Sequence, residues 1–137
     1  MKYLFVTDIE PLEPILDFNI ENVNIDLHND FDFVDIKKSN TDLSFYFKRI
    51  SEHNLYAERN AVIIFSKLEN DSFDSEIIVQ SHHDDSLTIT NFARGELTPE
   101  SKYYQNKSIK YFFIELGNAG TRNIFCREAV IFLWYFF

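Results

Sequence analysis

The chain ends in nine consecutive apolar or aromatic residues, Ala129-Val130-Ile131-Phe132-Leu133-Trp134-Tyr135-Phe136-Phe137. About twenty apolar residues are needed to cross a bilayer, so this run is too short for a transmembrane helix. A strand that is apolar at successive positions is one that is covered on both faces. The run therefore predicts a buried central strand, which we place at Ile124–Phe137.

Apolar runs and period-two alternation predict further strands along the chain. In the stretch from Phe18 to Leu27 the alternation slips by one residue at Glu21-Asn22, which predicts a β-bulge within a single strand. Turns are predicted at 28–30 and at Glu69–Ser72, and 117–120 is predicted to join the last two strands. The predicted strands are Lys2–Thr7, Phe18–Leu27, Phe31–Phe33, Leu43–Phe47, Ala61–Phe65, Glu76–Gln80, Leu87–Thr90 and Ile109–Leu116, in addition to the final strand.

Helical signals are few. Thr98-Pro99-Glu100 has the order of a helix start, with Thr as the cap and Pro at the first position, and predicts a short helix before Lys107. The polar segment 53–60 is a second candidate for a short helix. Residues 43–50 fit a strand, which we favour, but Leu43, Phe47 and Ile50 also have helical spacing.

The composition agrees with a mainly β protein. With 15 Phe, 7 Tyr and one Trp in 137 residues, the chain is rich in the aromatic residues that favour pleated surfaces. No repeat, linker or low-complexity run divides it, so a single domain over residues 1–137 is predicted. The predicted class is mainly β, with antiparallel sheets in a sandwich- or barrel-like arrangement and one or two short helices; α+β is the alternative.

The formal net charge is −9, and the acidic residues are grouped. Nine acids and no Lys or Arg lie between Lys2 and Lys37, and six acids and no Lys or Arg lie between Lys67 and Arg94. Phosphate and anionic lipid surfaces are bound through Lys and Arg, so neither nucleic acid nor a membrane is the predicted partner. Such a field attracts a basic protein, although a high net charge also serves solubility alone.

The candidate partner-binding residues are the acids of these groups. On a strand, Phe31 and Phe33 would face the core while Asp30 and Asp32 face outward, beside Asp26 of the preceding strand. The acid spacing of 30–35 is also that of a calcium loop, but the required Gly and the final Glu are missing. Asp26, Asp30, Asp32 and Asp35 are the first candidates, and Asp71, Asp74, Asp84 and Asp85 are the second.

The stretch Ser81-His82-His83-Asp84-Asp85-Ser86 holds imidazole, carboxylate and hydroxyl groups within six residues. Its residue types are those of turns, and it has no zinc-type spacing and no room for a triad, so we predict a hairpin tip. No metal, no cofactor and no catalytic residue is predicted, and the protein is expected not to be an enzyme. The alternative is a small hydrolase that uses His82 or His83 with Asp84 or Asp85.

Other residues have structural roles in this interpretation. The lone cysteine, Cys126, is expected to be buried and inert, which together with the absence of a disulfide framework predicts a reducing cytoplasm. Gly117–Arg122 lacks the spacing of a phosphate loop and is expected to join two strands. Surface ion pairs are predicted for Glu58-Arg59 and Arg127-Glu128. The tyrosines to watch as interface residues are Tyr56, Tyr103 and Tyr104.

In size, acidity, single-domain make-up and lack of a catalytic motif, the chain resembles the small immunity proteins of bacterial polymorphic-toxin systems, including contact-dependent growth inhibition. The resemblance implies a tight one-to-one complex in the cytoplasm, in which acidic residues occupy the cationic active-site groove of a cognate nuclease toxin. It assigns no role to a particular residue. The expected function is therefore a binding protein that neutralises a basic partner; a structural component of an assembly is a further alternative. The sequence does not specify an oligomeric state.

Overall fold

The structure, a computed structural model, describes residues 2–6, 14–21, 23–50, 59–74, 88–117 and 120–134. This part of the chain is mainly β and contains no α-helix, which confirms the predicted class and excludes the α+β alternative for these residues. Its strands are β1 (Lys2–Phe5), β2 (Asp17–Ile20), β3 (Val23–Asp26), β4 (Phe31–Lys38), β5 (Asp42–Arg49), β6 (Asn60–Asp71), β7 (Ile89–Arg94), β8 (Lys110–Leu116) and β9 (Gly120–Trp134).

The main sheet is antiparallel and curls into a half-barrel, with the strand order β4-β5-β6-β9-β8-β7. The long strand β9 pairs with β6 along one edge. Its other edge is shared, because β8 pairs with residues 120–126 and β1 pairs with residues 130–133. The predicted central position of the C-terminal strand is therefore confirmed up to Trp134.

A two-stranded sheet, formed by β2 and β3, packs against the inner side of the half-barrel. Its side chains Phe18, Ile20 and Ile25 belong to the same buried cluster as the inner residues of the main sheet. The predicted single strand with a bulge is wrong here, since Ile20 pairs with Val23 and the chain therefore reverses between these two residues. Glu21 has a φ of 52°, the left-handed conformation that the first central residue of a tight two-residue hairpin requires.

Phenylalanine side chains dominate the core inside the half-barrel. Phe45 is fully buried and its ring contacts Phe65, Phe73 and Phe92 edge-on, with centroids 5.3–5.8 Å apart. Edge-to-face packing is the favoured arrangement of aromatic pairs, and each fully buried ring removes a large apolar area from water. This cluster joins β5, β6 and β7 with the chain just after β6.

The structure decides the conformation of two segments for which the sequence left an alternative or predicted a turn. Residues 42–49 form β5, so the favoured strand is confirmed and the helical alternative is wrong. Strand β6 continues to Asp71, so the turn predicted at Glu69–Ser72 is wrong for Glu69–Asp71. The register shifts between Leu68 and Asn70, next to Lys67 with a φ of 54°, so these polar residues lie in an irregularity of the strand and not in a turn.

The helix predicted after Thr98 is absent, because residues 98–109 form a series of separate turns. The hydroxyl of Ser101 accepts a hydrogen bond from the N–H of Tyr103, and the side-chain oxygen of Asn106 accepts one from the N–H of Ser108. These local side-chain acceptors compete with the helical hydrogen bonds of the backbone. Segment 53–58 and the predicted strand Glu76–Gln80 lie outside the described residues.

The ion pair predicted between Arg127 and Glu128 is also wrong. Neighbouring residues of a strand point to opposite faces, so the two side chains have other partners. Arg127 donates to Glu69 at 2.8 Å and to the hydroxyl of Ser108, while Glu128 lies 3.6 Å from the ammonium of Lys67. Of the predicted Glu58-Arg59 pair, Glu58 lies outside the described residues.

Candidate protein-binding surface

The negative charge is grouped along the chain. Nine acids and no Lys or Arg lie between Lys2 and Lys37, and six acids and no Lys or Arg lie between Lys67 and Arg94. Of the candidate partner-binding residues in these stretches, the structure describes Asp26, Asp30, Asp32, Asp35, Asp71 and Asp74.

Among the first candidate residues, Asp26 has a structural role in the turn that follows β3. Its carboxylate accepts hydrogen bonds from the N–H groups of His28 and Asn29 and from the side-chain amide of Asn29, at 2.7–3.1 Å. Burial would raise the pKa of Asp26, but these hydrogen bonds outweigh it and lower the pKa below its ordinary value of 3.8. The carboxylate thus stabilises the turn predicted at residues 28–30.

The other first candidates follow Asp26 along the edge of the sheet. Asp30 lies in the same turn, and its backbone N–H donates to the carbonyl of Asp26 at 2.9 Å. Asp32 is exposed on β4 directly opposite Lys48, and Asp35, half-buried, is opposite Tyr46 after a bulge. The predicted outward orientation of Asp32 is thus found, but a cationic residue stands beside it.

Of the second candidates, the structure describes Asp71, the last residue of β6, and Asp74 just after it. The side chain of Asp71 is only 7% exposed and bonds to the ammonium of Lys38 at 2.8 Å and to the N–H of Phe73. Asp71 is therefore held within the fold, whereas Asp74 is exposed. Asp84 and Asp85, together with His82 and His83, lie outside the described residues, so the structure does not bear on the predicted hairpin tip or on the hydrolase alternative.

A surface that the sequence did not indicate lies on the outer side of β1, β6 and β9. Two cross-strand rows of apolar side chains face away from the core there. We call these residues the outer apolar face: Val62, Phe132 and Tyr3 in one row, and Ile64, Val130 and Phe5 in the other. Their sequence neighbours, among them Ala61, Ile63 and Ile131, point into the core cluster.

Exposure in the outer apolar face increases toward β1. Val62 and Val130 are buried, Ile64 and Phe132 are half-buried, and Tyr3 and Phe5 are 59% and 43% exposed. The rings of Tyr3 and Phe5 meet edge-on at 5.7 Å, and Tyr3 lies 6.3 Å from Phe132. Exposed aromatic clusters of this kind are typical of protein interfaces. The run Tyr3-Leu4-Phe5-Val6 is apolar on both faces, so the sequence does not show which of the two is exposed.

A second outer aromatic cluster lies between β8 and β9. The rings of Tyr111 and Phe125 stack at 4.9 Å, Tyr103 packs on Phe125, and the hydroxyl of Tyr111 donates to Asn123 at 2.6 Å. Tyr103 comes from the turns at 98–109, which lie over this part of the sheet. Of the tyrosines singled out in the sequence, Tyr103 thus packs within the fold and Tyr104 is 45% exposed; Tyr56 lies outside the described residues.

Cys126 and Gly120 belong to β9, where the structure shows the surroundings of each. Cys126 is fully buried, and burial raises the pKa of its thiol to about 12, so the protonated thiol is the stable form. Gly120 pairs with Leu116 and has a φ of 78°, consistent with the predicted joining of β8 and β9. Within these ranges, no group of three or more His, Cys, Asp and Glu side chains is placed to hold a metal ion. Nor does any helix there have the length and apolar character needed to cross a bilayer.

Comparisons of the chain with protein-family models, with curated proteins and with solved structures gave no match.

Proposed function

We propose that the protein binds and neutralises a basic protein partner, as the immunity protein of a bacterial nuclease toxin in the cytoplasm. The observation that carries this proposal is the grouping of the acids along the chain. Nine acids lie between Lys2 and Lys37 and six lie between Lys67 and Arg94, with no Lys or Arg in either stretch. Grouped carboxylates create the local field that attracts a cationic groove.

Some of these acids contribute less to this field than others. Asp32 faces Lys48, and Asp71 is bonded to Lys38, so each has a positive charge beside it. The carboxylate of Asp26 accepts hydrogen bonds within its own turn. Of the candidate residues, the exposed Asp74, with Asp84 and Asp85 of the same stretch without Lys or Arg, are the ones we expect to contribute most to partner binding.

The proposal is tested by retaining a partner on the immobilised protein and eluting it with increasing salt. We expect one basic protein, toxic when it is expressed alone, to elute only at high salt or in denaturant. Long-range attraction between charges is screened within about 8 Å at physiological ionic strength, so the association rate should fall as salt increases.

Two variants of equal charge distinguish a specific site from general acidity. The first, which we call the segment variant, carries Glu76→Gln, Asp84→Asn and Asp85→Asn, all in the stretch between Lys67 and Arg94. The control carries Glu96→Gln, Glu100→Gln and Glu115→Gln, which removes three exposed acids of the described surface. We expect weaker binding only for the segment variant. Equal weakening by both would mean that net charge alone acts, and the absence of any basic partner would contradict the proposal.

A further inference from the structure

The two rows of the outer apolar face continue across the sheet onto β5 and β4. The pairing of β5 with β6 and of β4 with β5 adds two side chains to each row, on the same side of the sheet. The added residues are Tyr46 and Asp35 in the row of Val62, and Ser44 and Lys37 in the row of Ile64. The extended surface is therefore centred on β6, with β9 and β1 on one side and β5 and β4 on the other.

The charges of this extended surface lie on one half of it, and they balance. Asp35 and Lys37 belong to the two rows, and the exposed pair of Asp32 and Lys48 lies beside them on the same side of β4 and β5. These strands thus contribute two carboxylates and two ammonium groups, while the six residues of the outer apolar face carry no charge. A surface of this kind favours neither a basic nor an acidic partner, and it fits a partner that is equally divided.

The length of the side chains also varies across the strands. Val62 and Ile64, on the central strand β6, are short and are buried or half-buried. Tyr3 and Phe5 on β1 and Lys37 on β4 are long and exposed. Because the half-barrel curls away on its outer side, the gap between two facing copies would widen toward β1 and β4. Long side chains at these margins can fill that gap.

We propose that the outer apolar face is the contact surface of a symmetric dimer, with a twofold axis that runs along β6. This axis lays β1 of one copy over β4 of the other, and β9 over β5. Tyr3 and Phe5 then meet Asp35 and Lys37 of the second copy. The uncharged half of each surface covers the charged half of the other, so no two like charges are opposed.

Lys37 already makes the kind of contact that this arrangement requires. Its ammonium lies over the ring of Tyr46, 4.9 Å from the centroid. A lysine placed over one aromatic ring can receive a second ring on its other side, and Phe5 of the second copy is in the matching row. The dimer would thus extend a cation–π contact that exists within each chain.

The dimer is expected to be weak, and its salt dependence is characteristic. Stable interfaces use about 20–30 residues from each partner, more than the two rows provide. Each chain also carries a net charge of −9, and salt screens the repulsion between two such chains. Association should therefore strengthen as salt is raised, whereas binding of a basic partner should weaken. This inference does not rest on the proposed function, and its failure would leave that function untouched.

The test is sedimentation equilibrium of the purified chain at low and at physiological salt. Concentrations run from about 10 μM to about 1 mM, the range in which weak complexes form. We expect a monomer–dimer equilibrium that Tyr3→Ser with Phe5→Ser weakens at least about tenfold, as the loss of interface anchors does. The matched control, Val23→Ser with Tyr104→Ser, removes two other side chains that are 47% and 45% exposed, away from this face, and should change the Kd by less than about twofold. A monomer at every concentration, or a dimer that the Tyr3/Phe5 variant leaves unchanged, would overturn the inference.

Cross-linking tests the position of the axis, and it also serves if the double variant does not fold. Phe5→Cys and Lys37→Cys are purified separately and then treated with a short bismaleimide, alone and mixed. Cys126 is fully buried and therefore protected from the reagent. Because the axis lays Phe5 over Lys37 of the second copy, we expect a covalent dimer from the mixture and little from either variant alone. Cross-linking that is equal in the unmixed samples, or absent from all three, would contradict the arrangement.

Discussion

The outer side of β9 carries two aromatic clusters that differ in what lies over them. Around Phe125, the turns at 98–109 bring Tyr103 onto the ring, and Tyr111 stacks beside it with its hydroxyl bonded to Asn123. Around Phe132, the neighbouring side chains of Tyr3 and Phe5 remain 59% and 43% exposed. Aromatic residues on an outer sheet face therefore serve the fold where the chain itself covers them. Where they are left exposed, they become available to a partner.

The fully buried ring of Phe45, inside the half-barrel, is the reference for the two clusters on the outer side. We expect Phe45→Ala to lower the free energy of unfolding by about 3–5 kcal/mol, because it leaves a cavity among Phe65, Phe73 and Phe92. Urea denaturation followed by fluorescence measures the change. A loss below about 1 kcal/mol would mean that the phenylalanine cluster does not form the core.

The packing of the cluster around Phe125, which the turns at 98–109 cover, can be tested by a substitution at Gly95. A Cβ atom at this position would overlap the ring of Tyr111, and the ring cannot move easily because Phe125 and Asn123 hold it. We expect Gly95→Ala to lower the free energy of unfolding by about 1–3 kcal/mol, as overpacking does. The control is the same change in a Tyr111→Ala background, where the loss should nearly vanish. An equal loss in both backgrounds would show that the overlap is not its cause.

The turn after β3 allows a test of pH dependence. Asp26→Ala should lower the free energy of unfolding by about 1 kcal/mol at neutral pH, since the carboxylate accepts hydrogen bonds from His28 and Asn29. Because the folded pKa of Asp26 is below 3.8, the contribution is complete above that pH and is lost as the pH falls through the folded pKa. Denaturation at a series of pH values measures it. A difference that is largest in acid would contradict this assignment.

Substitution of Tyr3 and Phe5, the exposed rings beside Phe132, should give the smallest change in the free energy of unfolding. Tyr3→Ser with Phe5→Ser should alter the free energy of unfolding by no more than about 0.5 kcal/mol per residue, because both side chains are exposed at the surface of the sheet. Thermal unfolding followed by circular dichroism checks this. A loss as large as that of Phe45→Ala would mean that the two rings belong to the core and would remove the contrast between the clusters.

Much of the sheet could be predicted from the sequence, because period-two alternation and short apolar runs mark strands directly. The hairpin between β2 and β3 could not be predicted because the sequence between Ile20 and Val23 has no glycine, the residue usual in such turns, and a one-residue slip also fits a bulge. The helix predicted at Thr98 failed because Ser101 and Asn106 offer the backbone local hydrogen bonds. In both places the local sequence fits two structures, a bulge or a hairpin in the first and a helix or separate turns in the second.

The candidate site was harder to predict. An acidic residue in a sequence gives no sign of its partners, so the pairing of Asp71 with Lys38, 33 positions earlier, could not be foreseen. The run Tyr3-Leu4-Phe5-Val6 is apolar throughout, and only the packing of distant segments decides which of its faces is covered. The grouping of acids, by contrast, can be read from the sequence directly.

The most direct test of the proposed function is the nuclease activity of the basic protein that the chain retains, titrated with the purified wild-type chain. The proposal predicts that activity falls linearly and ends at one equivalent, as expected for a tight one-to-one complex that fills the active-site groove. Full activity in the presence of excess chain, with binding confirmed in the same sample, would contradict it.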